Sequence, residues 1–433
     1  MNDYFYQQTK AYFKEKQSDY LEKLKEPCTQ GFFLNTLKAK KEDILDLIDF
    51  PCKKSSYDNN SYYHDHSNIG KTIVNDLGLI YPQEVAASLP ASYPDLAEVK
   101  LIVDLCAAPG GKSIDILNRA KEESLLIAND ISHERALVIS QNFERLGISN
   151  AIITSKDTDR LSEQLEGQAD LVILDAPCSG EGMIRKYPEI MDMLTESYTK
   201  ELAELQKKLL DAAYRTLKPG GQLLYSTCTY SFLEDEEQVK NYLERYPTMK
   251  LIPIKQESYS DYPGTVKLCP LNETEGQFFA LFQKDSDAET SYSRLHNLKP
   301  VKQKTVDTFI QENLDIREYY LYLYNGHYYM SQIPLYDLDN GILRYGIYLG
   351  DMTKDRFEPS HHLYRSNLLK GCYRHVYDLN EEEMRSYLEG RELKTELPDH
   401  YYQITYKDYS LGYGKCAKGI MKNKYPKGLR RML

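Results

Sequence analysis

The sequence predicts an α/β protein with an open, mostly parallel sheet at its centre and smaller α+β units on either side. Three observations carry this reading. Between residues 100 and 284 short apolar runs alternate with longer helical patterns, the signature of βα units. A glycine-containing loop, residues 104–113, follows the first of those runs and opens a helix. The flanking stretches lack that alternation, and 433 residues suit two to four domains at roughly 100 to 200 residues each.

The opening, residues 4–25, reads as helical. Residues 32–38 and the apolar stretch 44–50 complete a small α+β domain assigned to 1–95, with a polar loop at 59–68. In the central domain, 96–286, strands are predicted at 101–105, 125–128, 151–154, 171–174 and 222–226, with helices at 133–146 and 196–217. The latter helix runs into Lys218-Pro219-Gly220-Gly221, a stop signal. A late strand at 278–282 precedes the polar break 285–294, taken as a domain boundary. Tyrosine-rich and β-branched runs at 319–330 and 342–349 predict strands of a central linker domain, 287–376, and a final module spans 377–433.

Composition excludes several classes. Mean hydropathy is -0.59 and no apolar run approaches the ~20 residues that cross a bilayer. The opening residues are charged throughout, so a signal peptide is not expected. Eight cysteines without a CxxC pair argue against structural zinc or a dithiol motif and fit reduced thiols in a cytoplasmic enzyme without metal. A net charge of -11 argues against nucleic acid, yet residues 415–433 carry Lys415, Lys418, Lys422, Lys424, Lys427, Arg430 and Arg431 without an acid. That segment is either a solvated basic face or an RNA contact. The chain also has 38 tyrosines and no tryptophan.

In the loop Asp104-Leu105-Cys106-Ala107-Ala108-Pro109-Gly110-Gly111-Lys112-Ser113 the glycines let a ligand approach the backbone, and the strand-end Asp104 can balance a positive charge. Asp130, at the end of the second strand, stands where an acid commonly accepts from ribose hydroxyls. A phosphate-binding P-loop is disfavoured because Cys106 occupies the position of its first glycine, and GxGxxG is absent, so NAD is disfavoured too.

Cys178 in Asp175-Ala176-Pro177-Cys178-Ser179-Gly180-Glu181-Gly182 and Cys228 in Ser226-Thr227-Cys228-Thr229-Tyr230 each follow a predicted strand, so both should face the ligand cleft. One such cysteine is usually a small buried hydrophobe. Two in one cleft suit covalent catalysis on cytosine: a thiolate adding to carbon 6 makes carbon 5 nucleophilic, and loss of the carbon 5 proton later frees the thiol. The attacking thiol needs an electropositive neighbour, and Lys112 is a candidate.

The motifs DLCAAPGGKS, DAPCSGEG and STCTY, in this order, resemble the Sun family of RNA (cytosine-5) methyltransferases, and within it the bacterial RsmF-type 16S ribosomal RNA enzymes. Tyr81-Pro82-Gln83-Glu84, Arg356-Phe357-Glu358-Pro359-Ser360-His361 and the segment 422–430 extend the likeness over nearly the whole chain. The resemblance implies a Rossmann-like methyltransferase domain, an N-terminal RNA-contacting domain and a PUA-like RNA-binding module at the C-terminus. It implies Cys228 as nucleophile, Cys178 as the residue that releases the product, and Asp175 as the group that binds the cytosine ring. S-adenosylmethionine would lie on Ala107, Ala108, Pro109, Gly110, Gly111 and Lys112, with Asp130 on its ribose, Asp157 near its adenine and Asp175 alongside. An Asp157 after a short strand also suits a helix cap.

The chain departs from the family at Cys52, Cys269 and Tyr413, where relatives commonly have tryptophan, at Gln277 in Glu275-Gly276-Gln277-Phe278, and at Lys267, a usual arginine. The implied partner is 16S rRNA or the small ribosomal subunit, with transfer RNA the alternative. A non-catalytic assembly factor would not need both cysteines, and a protein or small-molecule methyltransferase would leave them without a role.

Overall fold

The computed structural model describes residues 2–431; Met1 and the last two residues of the basic segment, Met432 and Leu433, lie outside the described residues. The described residues contain four sheets. The first contains β1 (Gly31–Leu34), β2 (Cys52–Lys54), β3 (Ser61–His64) and β4 (Ile80–Pro82) in the order β2-β3-β1-β4. β3 corrects the predicted loop at 59–68: its Tyr62 stacks on Phe32 of β1 at 5.6 Å, so a tyrosine that reads as polar in sequence is a core residue here.

The central-domain strands are β5 (Leu101–Asp104), β6 (Leu125–Asn129), β7 (Ala151–Thr154), β8 (Ala169–Asp175), β9 (Leu217–Thr227), β10 (Met249–Ile252), β11 (Val266–Leu268) and β12 (Gln277–Lys284). β7-β6-β5-β8-β9 are parallel, and β12 joins β9 antiparallel. Helices cover both faces, so these strands are continuous apolar runs rather than alternating ones. The chain winds outward from β5 through β6 to β7, then returns to place β8 on the other side of β5. Such a reversal opens a crevice at the strand C-termini, where ligands bind in doubly wound sheets.

The next segment contributes β13 (Tyr320–Tyr324), β14 (His327–Ser331), β15 (Ile342–Tyr345), β16 (Ile347–Thr353) and β17 (Arg356–Pro359). β13 and β14 form a hairpin around Asn325-Gly326, both with positive φ, as a tight two-residue turn requires. β15 leaves this unit and pairs antiparallel with β7, and Tyr322, Tyr329 and Tyr345 join the core of the central-domain sheet. One strand of the segment 287–376 thus closes an edge that would otherwise present unpaired backbone groups.

The last sheet contains β18 (Val376–Leu379), β19 (Leu393–Lys394), β20 (Tyr401–Tyr406), β21 (Tyr409–Ala417) and β22 (Ile420–Asn423). Its core is continuous with that of the first sheet: Phe32, Leu34, Ile44 and Val74 pack in one cluster with Leu379, Tyr387, Ile404 and Leu411. Of the basic segment, Lys415 and Lys422 lie within strands and Arg431 pairs with Asp76 of the first module, so it is no free tail.

The buried Arg365 joins three modules at this junction. Its guanidinium donates to the carbonyls of Asp76 at 2.7 Å, Ser410 at 2.7 Å and Arg145. Replacing it with leucine strands three buried acceptors, and at about 1 kcal/mol each Arg365→Leu should destabilise the protein by roughly 3 kcal/mol. A shift of that size in the denaturation midpoint at unchanged slope would bear this out; no shift would show the contacts to be passive.

Candidate active site

Two neighbouring parallel strands build the site. β8 ends at Asp175 and β9 at Thr227, and the register sets Asp175 opposite Ser226, so the loops that follow leave the sheet side by side. This places the Cys178 and Cys228 sulfurs 3.4 Å apart, and the Cys228 backbone N–H donates to the Cys178 Sγ at 3.3 Å. Both thiols are half-buried. Below them the Ser226 hydroxyl donates to Asp175 Oδ1 at 2.7 Å and Lys112 Nζ donates to Asp175 Oδ2 at 2.8 Å. The sequence-predicted Cys178, Cys228, Asp175 and Lys112 therefore meet in one place.

Two glycines allow the loops to close. A Cβ on Gly182 would lie 2.6 Å from the Gly276 Cα and 2.9 Å from the Cys228 carbonyl oxygen, and a Cβ on Gly276 would meet the Gly182 Cα at 2.3 Å. Instead, the Gly182 N–H donates to that Cys228 carbonyl at 2.9 Å and the Gly276 N–H to the Gly182 carbonyl at 3.1 Å.

The two thiols differ in acidity. The hydrogen bond with Cys228, and then burial, push the Cys178 thiol well above the ordinary thiol range. The same hydrogen bond pulls Cys228 down, with Lys112 assisting against burial and Asp175. Cys178 is thus the S–H donor and Cys228 the sulfur that ionises first, as a nucleophile requires.

On the other side of Lys112 the loop 104–113 turns at Gly110, whose φ of 109° is open to glycine. Asp104 Oδ2 accepts from the Ser113 hydroxyl at 2.6 Å and its Oδ1 from the Cys106 N–H at 3.2 Å. Burial, with Asp175 adding, pushes Asp104 up to about 7, the mark of a carboxylate short of positive charge. Asp130 is buried, accepts from the Ser132 N–H at 3.0 Å and lies 3.3 Å from Arg135. Burial and the charges of Asp104, Asp130 and Asp175 together push up the Cys106 thiol, so three carboxylates surround this loop. That donor set fits a cationic nucleoside such as S-adenosylmethionine. The exposed carboxylate of Asp157 caps the helix Thr158–Gln164, accepting from the Asp159 and Arg160 N–H groups at 3.1 and 3.2 Å.

Behind Cys228 lies a buried ionic cluster. Lys267 Nζ contacts Asp235 at 3.1 Å and Glu236 at 2.8 Å and donates to the Tyr230 carbonyl at 2.9 Å, while the Thr227 hydroxyl donates to Asp235 at 2.6 Å. The N-terminal helix Asp3–Phe13 packs its Tyr12 ring against this lysine. Sequence reasoning noticed Lys267 only as a departure and missed its partners. The available signal was a lysine between Val266 and Leu268 in a strand, which needs a buried counter-charge.

Residues 93–283 match the family model of the 16S rRNA methyltransferases RsmB/F, and residues 374–431 match that of the methyltransferase RsmF PUA domain. The chain belongs to this methyltransferase family. The ribosomal RNA small subunit methyltransferase F of Shewanella sediminis is 27% identical over 450 residues, which is 95% of this chain and 93% of that one. Its Escherichia coli counterpart is 32% identical over 282 residues, 63% of this chain and 57% of that one. A solved methyltransferase homolog from Pyrococcus horikoshii, 27% identical, aligns with a TM-score of 0.57 over 64% of this chain and 93% of its own. The protein is an S-adenosylmethionine-dependent methyltransferase that acts on RNA. Among the described residues no helix is long and apolar enough to cross a membrane.

The difference in acidity makes a prediction about pH. Alkylation of Cys228 by iodoacetamide should rise with pH around a midpoint below the ~8.5 of a free thiol and fall off as pH drops through it. Lys112→Gln removes a cation and leaves Asp175 uncompensated, so the midpoint should move up. A wild-type midpoint at or above that of a free thiol would overturn the assignment of Cys228 as the more acidic sulfur.

Proposed function

We propose that this enzyme methylates carbon 5 of a cytosine in 16S rRNA through a covalent adduct with Cys228. The observation that carries the reading is the pair of thiols 3.4 Å apart above a lysine–carboxylate pair. Bound along Ala107 to Lys112, with Asp130 at its ribose and Asp104 balancing its charge, S-adenosylmethionine supplies an electrophilic methyl group. The chain's residues do the rest. Cys228 thiolate bonds to carbon 6 and the displaced π electrons pass into the ring, where Asp175, held by Lys112 and Ser226, orients the base. Carbon 5 becomes nucleophilic.

The adduct also changes Cys178. Once Cys228 is a thioether it no longer offers a sulfur anion to the Cys178 S–H, so the largest cause that raises Cys178 is removed while burial still opposes ionisation, and Cys178 acts as the base after giving its proton to solvent. Cys178 can then take the hydrogen on methylated carbon 5. The C–H electrons restore the 5,6 double bond, and the C–S electrons return to Cys228. Cys178 again bears the S–H, which closes the cycle.

Cys228→Ala should therefore neither methylate nor bond to RNA, whereas Cys178→Ala should accumulate a protein–RNA adduct that resists denaturation. Bisulfite sequencing of RNA from cells with and without the gene locates the base: a protected cytosine in 16S rRNA that is lost on deletion supports the reading. Protected cytosines lost only from transfer RNA would overturn the substrate, and normal methylation by both variants would overturn covalent catalysis.

For RNA affinity the exposed Lys418, Lys422 and Lys427 of the last module are the candidates, because Arg431 is engaged with Asp76. Replacing all three with glutamine should flatten the dependence of log K on log salt by about 2, at ~0.7 per phosphate contact on single-stranded RNA. An unchanged slope would make them a solvated face.

A further inference from the structure

We propose that Gln206 and Glu234 are positioning residues for Cys178, holding it for the release step; the inference rests on the role of Cys178 proposed above. Gln206 sits on the long helix Glu196–Thr216 and is fully buried, although its neighbour Leu205 is 41% exposed. That inversion of polarity is costly unless the amide is used. Its Nε2 donates to the Pro177 carbonyl at 2.9 Å and to Glu234 Oε2 at 2.9 Å. The same Glu234 oxygen accepts the Ser179 N–H at 2.9 Å. One amide–carboxylate pair thus grips the backbone immediately before and immediately after Cys178, and Glu234 is itself fully buried.

The support of Cys228 runs through other side chains, although Glu234 directly precedes Asp235 in the loop after Cys228. Its loop is held through Thr227 by Asp235, through Tyr230 by Lys267 and through its own carbonyl by Gly182. The Ser179–Thr229 hydroxyl contact at 2.7 Å links the two loops. Loosening Gln206–Glu234 should therefore displace the releasing thiol and leave the attacking one in place. A general structural role would slow both steps together.

The test follows adduct formation and decay with substrate RNA in the full-length Gln206→Met, Glu234→Leu and Glu234→Gln proteins, with Cys178→Ala alongside. Gln206→Met and Glu234→Leu should still form adduct, no more slowly than Cys178→Ala, which lacks the same hydrogen bond to Cys228, and release it roughly 10- to 100-fold more slowly than wild type, the scale of an ångström-sized misplacement. Glu234→Gln keeps an oxygen for Ser179 and Gln206 and should release like wild type. Unchanged affinity for S-adenosylmethionine marks an intact fold, and if Glu234→Leu loses it, Gln206→Met, which keeps its volume, decides alone. Wild-type release in these variants, or equal losses in formation and release, overturns the proposal. So does a Glu234→Gln protein as slow as Glu234→Leu, since charge rather than position would then matter. If Cys178→Ala itself accumulates no adduct, the failure lies in the role given to Cys178.

Discussion

The parallel pairing of β8 with β9 is the constraint on which the site depends. With Asp175 and Ser226 opposite each other, the next residues on both strands diverge into loops at the same height above the sheet. Side chains alternate along a strand, so a slip of one residue would turn Ser226 away from Asp175 and draw the two sulfurs apart. The ladder is fixed by buried apolar side chains on both faces, which is why reactive groups can stand at its end at no cost to the core.

A net charge of -11 does not describe the surface directly, because part of the acid is inside. Asp104, Asp115, Asp130, Glu181, Glu234, Asp235 and Glu275 are all nearly inaccessible. Several do structural work: Asp115 pairs with Arg119, and Glu275 with Arg185. Others face the cofactor loop, where a positive ligand completes their charge balance. An overall acidic composition is thus compatible with a protein that works on a polyanion, provided cations such as Lys418 and Lys427 keep the outer positions.

What could be read from the sequence followed physical visibility. The strands 101–104 and 151–154 and the helix 133–146 are plain because burial on both faces demands unbroken apolar runs and a helical face demands its own period. The meeting of Cys178, Cys228 and Asp175 was legible because strand ends are where such sheets present chemistry, and that of Lys112 because it opens the helix after the glycine loop. β3 was obscure because it is short and carried by tyrosines, whereas β15 was legible as a strand within 342–349 but not its pairing with a strand about 190 residues earlier, which no local pattern announces. Gln206, Glu234 and Asp235 were missed because a buried polar residue and a solvated one look alike in a string of letters. For Gln206 the clue lay in helical phase, since the position shares a face with Leu209 and Leu210.

The shared core of the first and last modules has a bearing on how the protein is made. Phe32 and Leu34 share one core cluster with residues such as Leu379, Ile404 and Leu411. At ~5 to 20 residues per second the ribosome needs roughly 20 to 70 s to travel from one set to the other. Throughout that interval the nascent first sheet carries an uncovered apolar face, so a chaperone that shields this face during translation should raise the yield of native enzyme more than one supplied after the chain is released.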